Sequence, residues 1–443
     1  MKGTHFYDRE RRKRPPHKLV RLFLYSVAGL AAAPAGAETA GWLRGAQLDL
    51  KARNVYWRQD YRVDRPDSLE WGQGLMMEFS SGDTPGPVGL GVEASAYASM
   101  KLEQHNWAVA RAGVLARNGD NLHDASAWAG GALRLRAFDS ELRYGNNLRP
   151  YNPVFAPADT RLLPSTATGW WLSSRAVPNT FLEAGHFTAG KDYSANRSRR
   201  EFYASYAGVS TDRASFIGAS HTLGDSTGFM LYASEYRDIW RQYFANLSHA
   251  WTLGDRRLTM DFNLYRTEDQ GRKLAGDIDV TAWSLALGHT MGAHTFRVSY
   301  QKIHGDQPFD YLGMAPGSYH DSVYLAHSSQ MSDFNGPHER SWGVFYDLDM
   351  ARYDVPGLSL HARYIRGAGA DGGGMRADSP YAYYGSNEKH WTAEMDVRYE
   401  VQSGAAKGLT ARLRFGVHRM LRGTSNVSSR QVRLYLEYPY SVL

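Results

Sequence analysis

The feature that most constrains this chain is a hydrophobic period of two residues, which recurs through most of its length. In LTARLRFGVH, residues 409–418, apolar residues alternate with Thr, Arg, Arg, Gly and His. In WTAEMDVRYEV, residues 391–401, the alternate positions carry Thr, Glu, Asp, Arg and Glu. Successive side chains of a β-strand point to opposite faces, whereas a helix would repeat its apolar positions every 3.6 residues. The pattern therefore predicts many strands, each with one apolar and one charged face.

Short turn signals alternate with long polar segments between these strands. The short clusters lie at residues 83–87, 138–140, 177–179, 224–228, 253–257, 291–294, 355–357 and 403–408. The long segments include residues 103–127, 146–169, 266–281, 304–335 and 367–389. Eight short turns separate nine hairpins, which predicts about 18 strands of roughly ten residues each. We therefore expect an all-β fold, a transmembrane antiparallel up-and-down β-barrel, closed because an open sheet edge is not tolerated in lipid.

A soluble β-sandwich or propeller is the alternative fold. It would explain the alternation of apolar and polar residues. It would not explain a charged face on nearly every strand, and the chain shows no propeller-blade repeat. The barrel interpretation is therefore favoured.

The N-terminus has the features of a signal peptide. Residues 1–18 are strongly basic, residues 19–37 are apolar, and the stretch ends in an A-x-A pattern at Ala35–Ala37. We expect a signal peptide at 1–37 and a barrel domain at 38–443; a basic tail followed by a helix is the alternative. Residues 1–37 hold eight Lys/Arg and two Asp/Glu, which leaves 43 of each in the remainder. The overall basicity therefore gives no reason to expect a nucleic-acid partner.

The pentapeptide GDSTG, residues 224–228, matches the G-x-S-x-G signature of a serine nucleophile elbow. An elbow needs a strand before it and a helix after it, but SFIGASHTL and FMLYASEY both have strand character. We therefore expect a hairpin turn, with a barrel enzyme using Ser226 and the nearby His221 as the alternative. The chain has no cysteine and no spaced set of metal ligands, so no catalytic residue, metal or cofactor is predicted.

Arginines recur on the polar faces of strands near both ends of the chain. The candidates for a basic track along a common lumen are Arg134, Arg136, Arg143, Arg363, Arg398, Arg412, Arg414 and Arg433. Facing arginines in a water-filled pore attract anionic groups and pass them along. The alternative is a structural network in which these arginines pair with lumen carboxylates such as Asp347, Asp349, Glu394, Asp396 and Glu437.

One long segment, YGNNLRPYNPVFAPADTRLLPSTATGWW at residues 144–171, is too apolar for a solvated loop. We call it the constriction loop, because folding into the lumen would bury its Leu, Phe and Val side chains and narrow the pore. An external loop packed on its neighbours is the alternative. Aromatic residues at strand ends, among them Trp57, Trp171, Trp342 and Trp391, are typical of interfacial girdles.

At several stretches the chain resembles the OprD family of substrate-specific outer-membrane porins. These stretches are EWGQGL, LRYGN, DTRLLPSTATG, SDFNGPHERSW, YDVPGL, VQSGAAKGLTARLR and RLYLEYPYSVL. The resemblance implies an 18-stranded channel, a monomer or loose homotrimer, with its third external loop folded inward and a ladder of basic residues. By motif, the ladder would include Arg412, Arg414 and Arg433.

The constriction loop carries the charged residues Arg149, Asp159 and Arg161. The resemblance implies that its RLLP segment, residues 161–164, belongs to the narrowest part of the pore, whereas the basic Arg149 departs from the family's pattern. The family's acidic pocket would correspond here to Asp321, with Tyr319 and Ser322. The basic charge of Arg149 slightly favours aromatic or cyclic carboxylates over amino acids as solutes.

Together these observations predict a passive, selective porin for small carboxylate-bearing solutes in the outer membrane of a Gram-negative bacterium. Outer-membrane lipid and the barrel assembly machinery would be its other partners. A lipase-like barrel enzyme and a non-conducting structural or adhesin barrel are the alternative functions.

Overall fold

The computed structural model describes residues 44–62, 66–105, 112–118 and 121–442, so the expected signal peptide lies outside the described residues. Eighteen strands form one antiparallel sheet. Numbered in chain order, they are β1 (Gln47–Tyr61), β2 (Ser68–Ser80), β3 (Val88–His105), β4 (Ala125–Ala137), β5 (Ser140–Leu148), β6 (Thr166–Ser174), β7 (Thr180–Lys191), β8 (Ala214–Leu223), β9 (Thr227–Tyr236), β10 (Trp240–Leu253), β11 (Arg256–Asp269), β12 (Asp279–Met291), β13 (His294–His304), β14 (Arg340–Asp349), β15 (Leu358–Ala370), β16 (Glu388–Glu400), β17 (Thr410–Arg422) and β18 (Ser429–Ser441).

The sheet closes on itself, because the first strand pairs with the last. In the β1–β18 ladder Arg53 lies opposite Glu437, Val55 opposite Tyr435, and Tyr61 opposite Ser429. Every strand therefore has a hydrogen-bonded neighbour on both sides, as a sheet surrounded by lipid requires. The predicted fold class, a closed barrel of about 18 strands, is confirmed.

The connections differ between the two ends of the barrel. At one end, here called the turn end, the eight predicted short turns join successive strands. At the other, the loop end, lie the longer connections, including residues 192–213, 305–339 and 371–387. In outer-membrane barrels the short turns face the periplasm and the long loops face outward.

GDSTG forms the turn between β8 and β9, as the hairpin interpretation predicts. Gly224 adopts φ +59°, a left-handed conformation that glycine reaches without the steric cost of a Cβ. His221 is hydrogen-bonded to the Thr180 hydroxyl at 2.9 Å, and the backbone carbonyl of Ser226 accepts a bond from Ala250. The residues after Ser226 form a strand and not the helix that a nucleophile elbow needs.

The outward face of the barrel is an apolar belt. Its exposed side chains include Leu90, Leu133, Ile217, Leu231, Val298 and Val344. An aromatic girdle crosses this belt near the loop end, where the ring centroid of Tyr364 lies 5.6 Å from that of Trp342 and 5.8 Å from that of Trp391. Two predicted girdle residues lie elsewhere: Trp57 is 3% exposed against inward-facing Arg433, and Trp171 donates to Glu183 inside the lumen.

Apolar packing fills part of the lumen at the loop end. Val154 and Phe155 of the constriction loop and Phe309 of loop 305–339 belong to one buried cluster with inward residues of the wall. The stacking of Phe155 on Phe187 of β7, at 4.4 Å between ring centroids, typifies this contact. The loops are thus held inside the barrel by the same burial of apolar surface that forms a soluble protein's core.

The orientation of the belt gives a prediction about membrane stability. Leu231 lies in the middle of β9 and Leu253 at the turn end of β10, and both are largely exposed on the outer face. We expect Leu231→Arg to lower the free energy of unfolding by about 2–4 kcal/mol and Leu253→Arg by about 0–1 kcal/mol, because the penalty depends on depth in the bilayer. Denaturant titration in phospholipid vesicles measures both. Equal losses would contradict the assigned depth of these positions.

Candidate functional site

The constriction loop crosses the lumen and is fastened to well-separated parts of the wall. On one side the hydroxyl of Tyr236 in β9 donates to the Val154 carbonyl at 3.0 Å, and that of Tyr265 in β11 to the Pro153 carbonyl at 3.1 Å. On another side the hydroxyl of Tyr435 in β18 donates to the Thr160 carbonyl at 3.2 Å. The prediction that this loop folds into the lumen, made from its composition, is confirmed.

Asp159 is the charged centre of the loop. Its carboxylate accepts from Arg53 of β1 at 2.8 Å and from Arg149 at 3.0 Å. Arg53 also pairs with Glu437 of β18 and donates to the Arg161 carbonyl at 2.7 Å. Burial alone would raise the pKa of Asp159, but the two guanidinium groups outweigh it and lower that pKa to about 2.

Arg149 is therefore not an uncompensated positive charge. Besides Asp159 it has Glu78 of β2 as an ion-pair partner, at 3.6 Å. Nearby, Arg161 donates to the Ala112 carbonyl at 3.0 Å and lies over the ring of Trp57, 4.5 Å from its centroid. All three predicted charged residues of the constriction loop thus take part in its attachment to the wall or to neighbouring segments.

The predicted acidic pocket lies directly against this loop. The Asp321 carboxylate accepts from the backbone N–H of Asp159 at 3.2 Å, and the Asp321 N–H donates to the Ala156 carbonyl at 3.1 Å. Burial raises the pKa of Asp321 above the usual carboxyl value. Ser322 is fully buried, and its hydroxyl has no hydrogen-bond partner among the described residues, whereas Tyr319 is 40% exposed.

The candidate track has two groups of arginines, and the first lies near the turn end. Arg134 pairs with Asp83 at 3.0 Å and Glu93 at 3.4 Å, and Arg136 pairs with Asp83 at 3.1 Å. Arg143 pairs with Glu93 at 3.0 Å. Asp83 lies in the turn between β2 and β3, which places this group toward the periplasmic mouth.

The second group lies on the inward face of four successive strands, β15 to β18. Arg363 donates to Glu394 at 2.6 Å, and Arg398 to Glu400 at 2.9 Å. Arg412 and Arg414 share one carboxylate, Asp396, at 2.9 and 3.1 Å. Because two cations share one anion, this part of the wall keeps an excess of positive charge.

Arg433 differs from the other seven arginines of the track. It has no carboxylate at ion-pair distance among the described residues, and it is 4% exposed. Its guanidinium lies 3.4 Å from the ring centroid of Trp57 and donates to the Gln330 carbonyl at 2.9 Å. Trp57 is thus enclosed by two cations, Arg161 and Arg433, an arrangement that cation–π attraction stabilises.

A polar cavity of about 320 Å³ lies where the chain leaves β5 and enters the constriction loop. Its wall contains both signs of charge, from Glu78, Glu93, Arg143 and Arg149, together with Trp171. A larger apolar cleft, about 560 Å³, opens mainly on the outer face of β14–β17. Among the described residues no cluster of His, Cys, Asp or Glu could hold a metal ion, and no helix is long and apolar enough to cross a membrane.

Two site residues, Arg53 and Glu78, were not predicted. Both occupy polar positions of an alternating strand, so the sequence places them on the charged face, as it does the predicted lumen carboxylate Glu437. Nothing in the sequence indicates that Arg53 meets Asp159, which is 106 residues away in the chain. Their contact depends on how the constriction loop folds.

An 18-stranded closed barrel with an inward loop and a charged lumen defines an outer-membrane porin. The family model for the outer membrane porin, OprD family, matches residues 40–442. The chain belongs to the OprD family, as the resemblance predicted.

The relatives agree in sequence and in fold. Porin D of Pseudomonas aeruginosa is 42% identical over 415 residues, which cover 92% of this chain and 93% of that protein. The crystal structure of P. aeruginosa OprD superposes with a TM-score of 0.80 at 40% identity, covering 92% and 98% of the two chains. P. aeruginosa OpdK, solved with vanillate, gives a TM-score of 0.80 at 31% identity, covering 90% of this chain and all of that one. The protein is thus an outer-membrane porin of a Gram-negative bacterium, and its relatives are channels.

The position of Asp159 gives a prediction about pH. Because its pKa is depressed, its ionised form stabilises the loop above the ordinary carboxyl pKa, near 3.8, and this contribution is lost as the pH falls toward about 2. We expect single-channel current noise to stay constant from neutral pH to about pH 4 and to increase below it.

We expect Asp159→Asn to increase the current noise already at neutral pH, because the variant leaves Arg53 and Arg149 without their shared partner. The exposed pair of Asp378 and Arg376 in loop 371–387 offers a control, since Asp378→Asn changes the same chemistry away from the constriction loop. Equal noise in the two variants would contradict the role of Asp159.

Proposed function

We propose that this porin mediates passive, selective uptake of small solutes that bear a carboxylate. The observation that carries the proposal is the arginine group on β15–β18, where Arg412 and Arg414 share Asp396 and Arg433 has no carboxylate partner among the described residues. A surplus of arginine along a water-filled wall lowers the cost of removing water from an anion, and a guanidinium matches a carboxylate in geometry.

The charge balance of the constriction favours solutes that also bear a positive charge, as amino acids do. The preference for aromatic or cyclic carboxylates depended on Arg149 as an additional cation, and its pairing with Asp159 and Glu78 removes that argument. Asp321, beside the constriction loop, supplies an acceptor for an ammonium group. OpdK, a relative at 31% identity, was solved with vanillate, which is an aromatic carboxylate. Amino acids and aromatic carboxylates are therefore both included in the experiment.

The test is single-channel recording of the refolded mature protein in a planar bilayer, with arginine and with benzoate added. We expect small steady openings that arginine interrupts more strongly than benzoate. A silent membrane despite verified insertion would contradict the channel. Stronger interruption by benzoate would keep the carboxylate proposal and overturn the preference for amino acids.

The arginine group is tested by Arg412→Gln with Arg414→Gln. We expect the apparent affinity of the interrupting solute to fall roughly tenfold, because a hydrogen bond to a charged group contributes about 1.5–3 kcal/mol. The matched control is Arg134→Gln with Arg136→Gln, which removes two lumen arginines that each pair with Asp83 near the turn end. Equal losses in both variants would indicate a general charge effect and not a binding group on β15–β18.

A further inference from the structure

A group of basic side chains lies on the outer face of the barrel, on β14 to β18 at the loop end. We call it the outer basic patch, and its members are Arg340, Arg366, Lys389, Arg419, Arg422 and Arg430. For five of them the outward direction follows from the strand period, since neighbours such as Ser341, His390 and His418 are buried toward the lumen. Arg422 shares the face of Lys389, its partner in the ladder, because the register between β16 and β17 shifts at Lys389/His390. These cations therefore face the membrane side of the barrel and not the solute pathway.

The strand register brings the patch together. Arg366 lies opposite Trp342 on one side and opposite Trp391 on the other. Trp391 in turn lies opposite Arg419, and Lys389 opposite Arg422. Basic and aromatic side chains thus alternate across four neighbouring strands at one height.

Ion pairs within the described residues do not balance the charge of the outer basic patch. None of its six members has a carboxylate at ion-pair distance in the part of the chain that the structure describes. Asp60, which is opposite Arg430 in the register, is already paired with Arg58 at 2.7 Å. Clustered like charges repel one another, so an anion from outside the chain would stabilise this arrangement.

The neighbouring part of the wall, which only β13 separates from the patch, shows that the protein otherwise neutralises such positions. On the outer face of β9–β12 at the loop end, Arg241 pairs with Glu235 at 2.9 Å, and Arg266 pairs with Glu268 at 3.0 Å and with Asp279. The same kind of position is therefore compensated on β9–β12, whereas on β14–β18 it has no carboxylate partner among the described residues.

The height of the patch identifies the anion. Trp342, Tyr364 and Trp391 form the aromatic girdle, which marks the boundary between hydrocarbon and headgroups. Cations at and beyond this boundary meet the headgroups of the external leaflet, and phosphate is a headgroup anion that arginine binds through two parallel hydrogen bonds. We propose that the outer basic patch binds the phosphorylated headgroup of a lipid of the external leaflet, with the acyl chains lying along the apolar belt.

Native mass spectrometry of the full mature barrel in neutral detergent tests this proposal. Diphosphoryl lipid A and the same lipid without phosphates are the two probes, and inorganic pyrophosphate is a third. We expect selective, salt-sensitive binding of the phosphorylated lipid. Equal binding of the two lipids would overturn the proposal. Equally tight binding of pyrophosphate would overturn the lipid as the ligand and leave a site for a free anion.

The triple variant Arg366→Gln, Lys389→Gln, Arg419→Gln should weaken binding at least about tenfold, since each basic residue near an anionic lipid adds to the attraction. The matched control replaces Arg241, Arg266 and Arg272 by Gln at the loop end of β9–β12, where Arg272, in the connection between β11 and β12, pairs with Asp238 at 3.0 Å. Unchanged binding in the triple variant, or the same loss in the control, would overturn the proposal.

Two readouts separate this result from misfolding and from self-association. Channel conductance should be unchanged in the triple variant, because the patch lies outside the lumen. If the triple variant does not insert into a bilayer, the single variant Arg366→Gln takes its place in the same titration. We expect it to show a smaller loss of binding, and to show that loss for the phosphorylated lipid only. A dimer of the lipid-free protein that disappears in the variant would assign the patch to contact between copies and overturn lipid binding.

Discussion

The pairing of β1 with β18 is the constraint on which the rest of this structure depends. A membrane offers no hydrogen-bond partners to a free strand edge, so the sheet has to close before any of its strands is stable in lipid. Closure also creates the lumen, and it brings Arg53 of the first strand opposite Glu437 of the last. The same ladder that satisfies the backbone thus supplies one of the charged pairs that hold the constriction loop.

The inward loops solve a second problem that closure creates. A barrel of this circumference is too wide for its wall side chains to fill, so its selectivity has to come from segments folded inside. Here Phe155 of the constriction loop and Phe309 of loop 305–339 pack against one part of the wall. The ion pairs of Asp159 hold the constriction loop at another part of the wall. Apolar packing gives the loop its place, while the ion pairs set the charge that a passing solute meets.

The strand pattern made most of the fold predictable, because the period of two and the short turns are local properties. The turn at residues 224–228 and the inward direction of Arg412 and Arg414 both followed from it. The girdle assignment of Trp57 and Trp171 was wrong, since strand-end position alone does not identify the face. The partners of Arg149 were also beyond prediction, because they depend on the path of a loop and not on any spacing in the sequence.

The distribution of unpaired arginine connects the two faces of the wall. Inside, Arg433 is buried without a carboxylate partner among the described residues, and the ring of Trp57, the Gln330 carbonyl and the Gln431 side chain replace one. A carboxylate there would cancel the charge, whereas aromatic and neutral polar contacts support a guanidinium and leave its field in place. Outside, the outer basic patch also sets arginine beside tryptophan, with no carboxylate partner in the part of the chain that the structure describes. In both places the protein stabilises a cation without neutralising it, so that the buried Arg433 adds its field to the lumen and the outer basic patch is available to an anion from outside the chain.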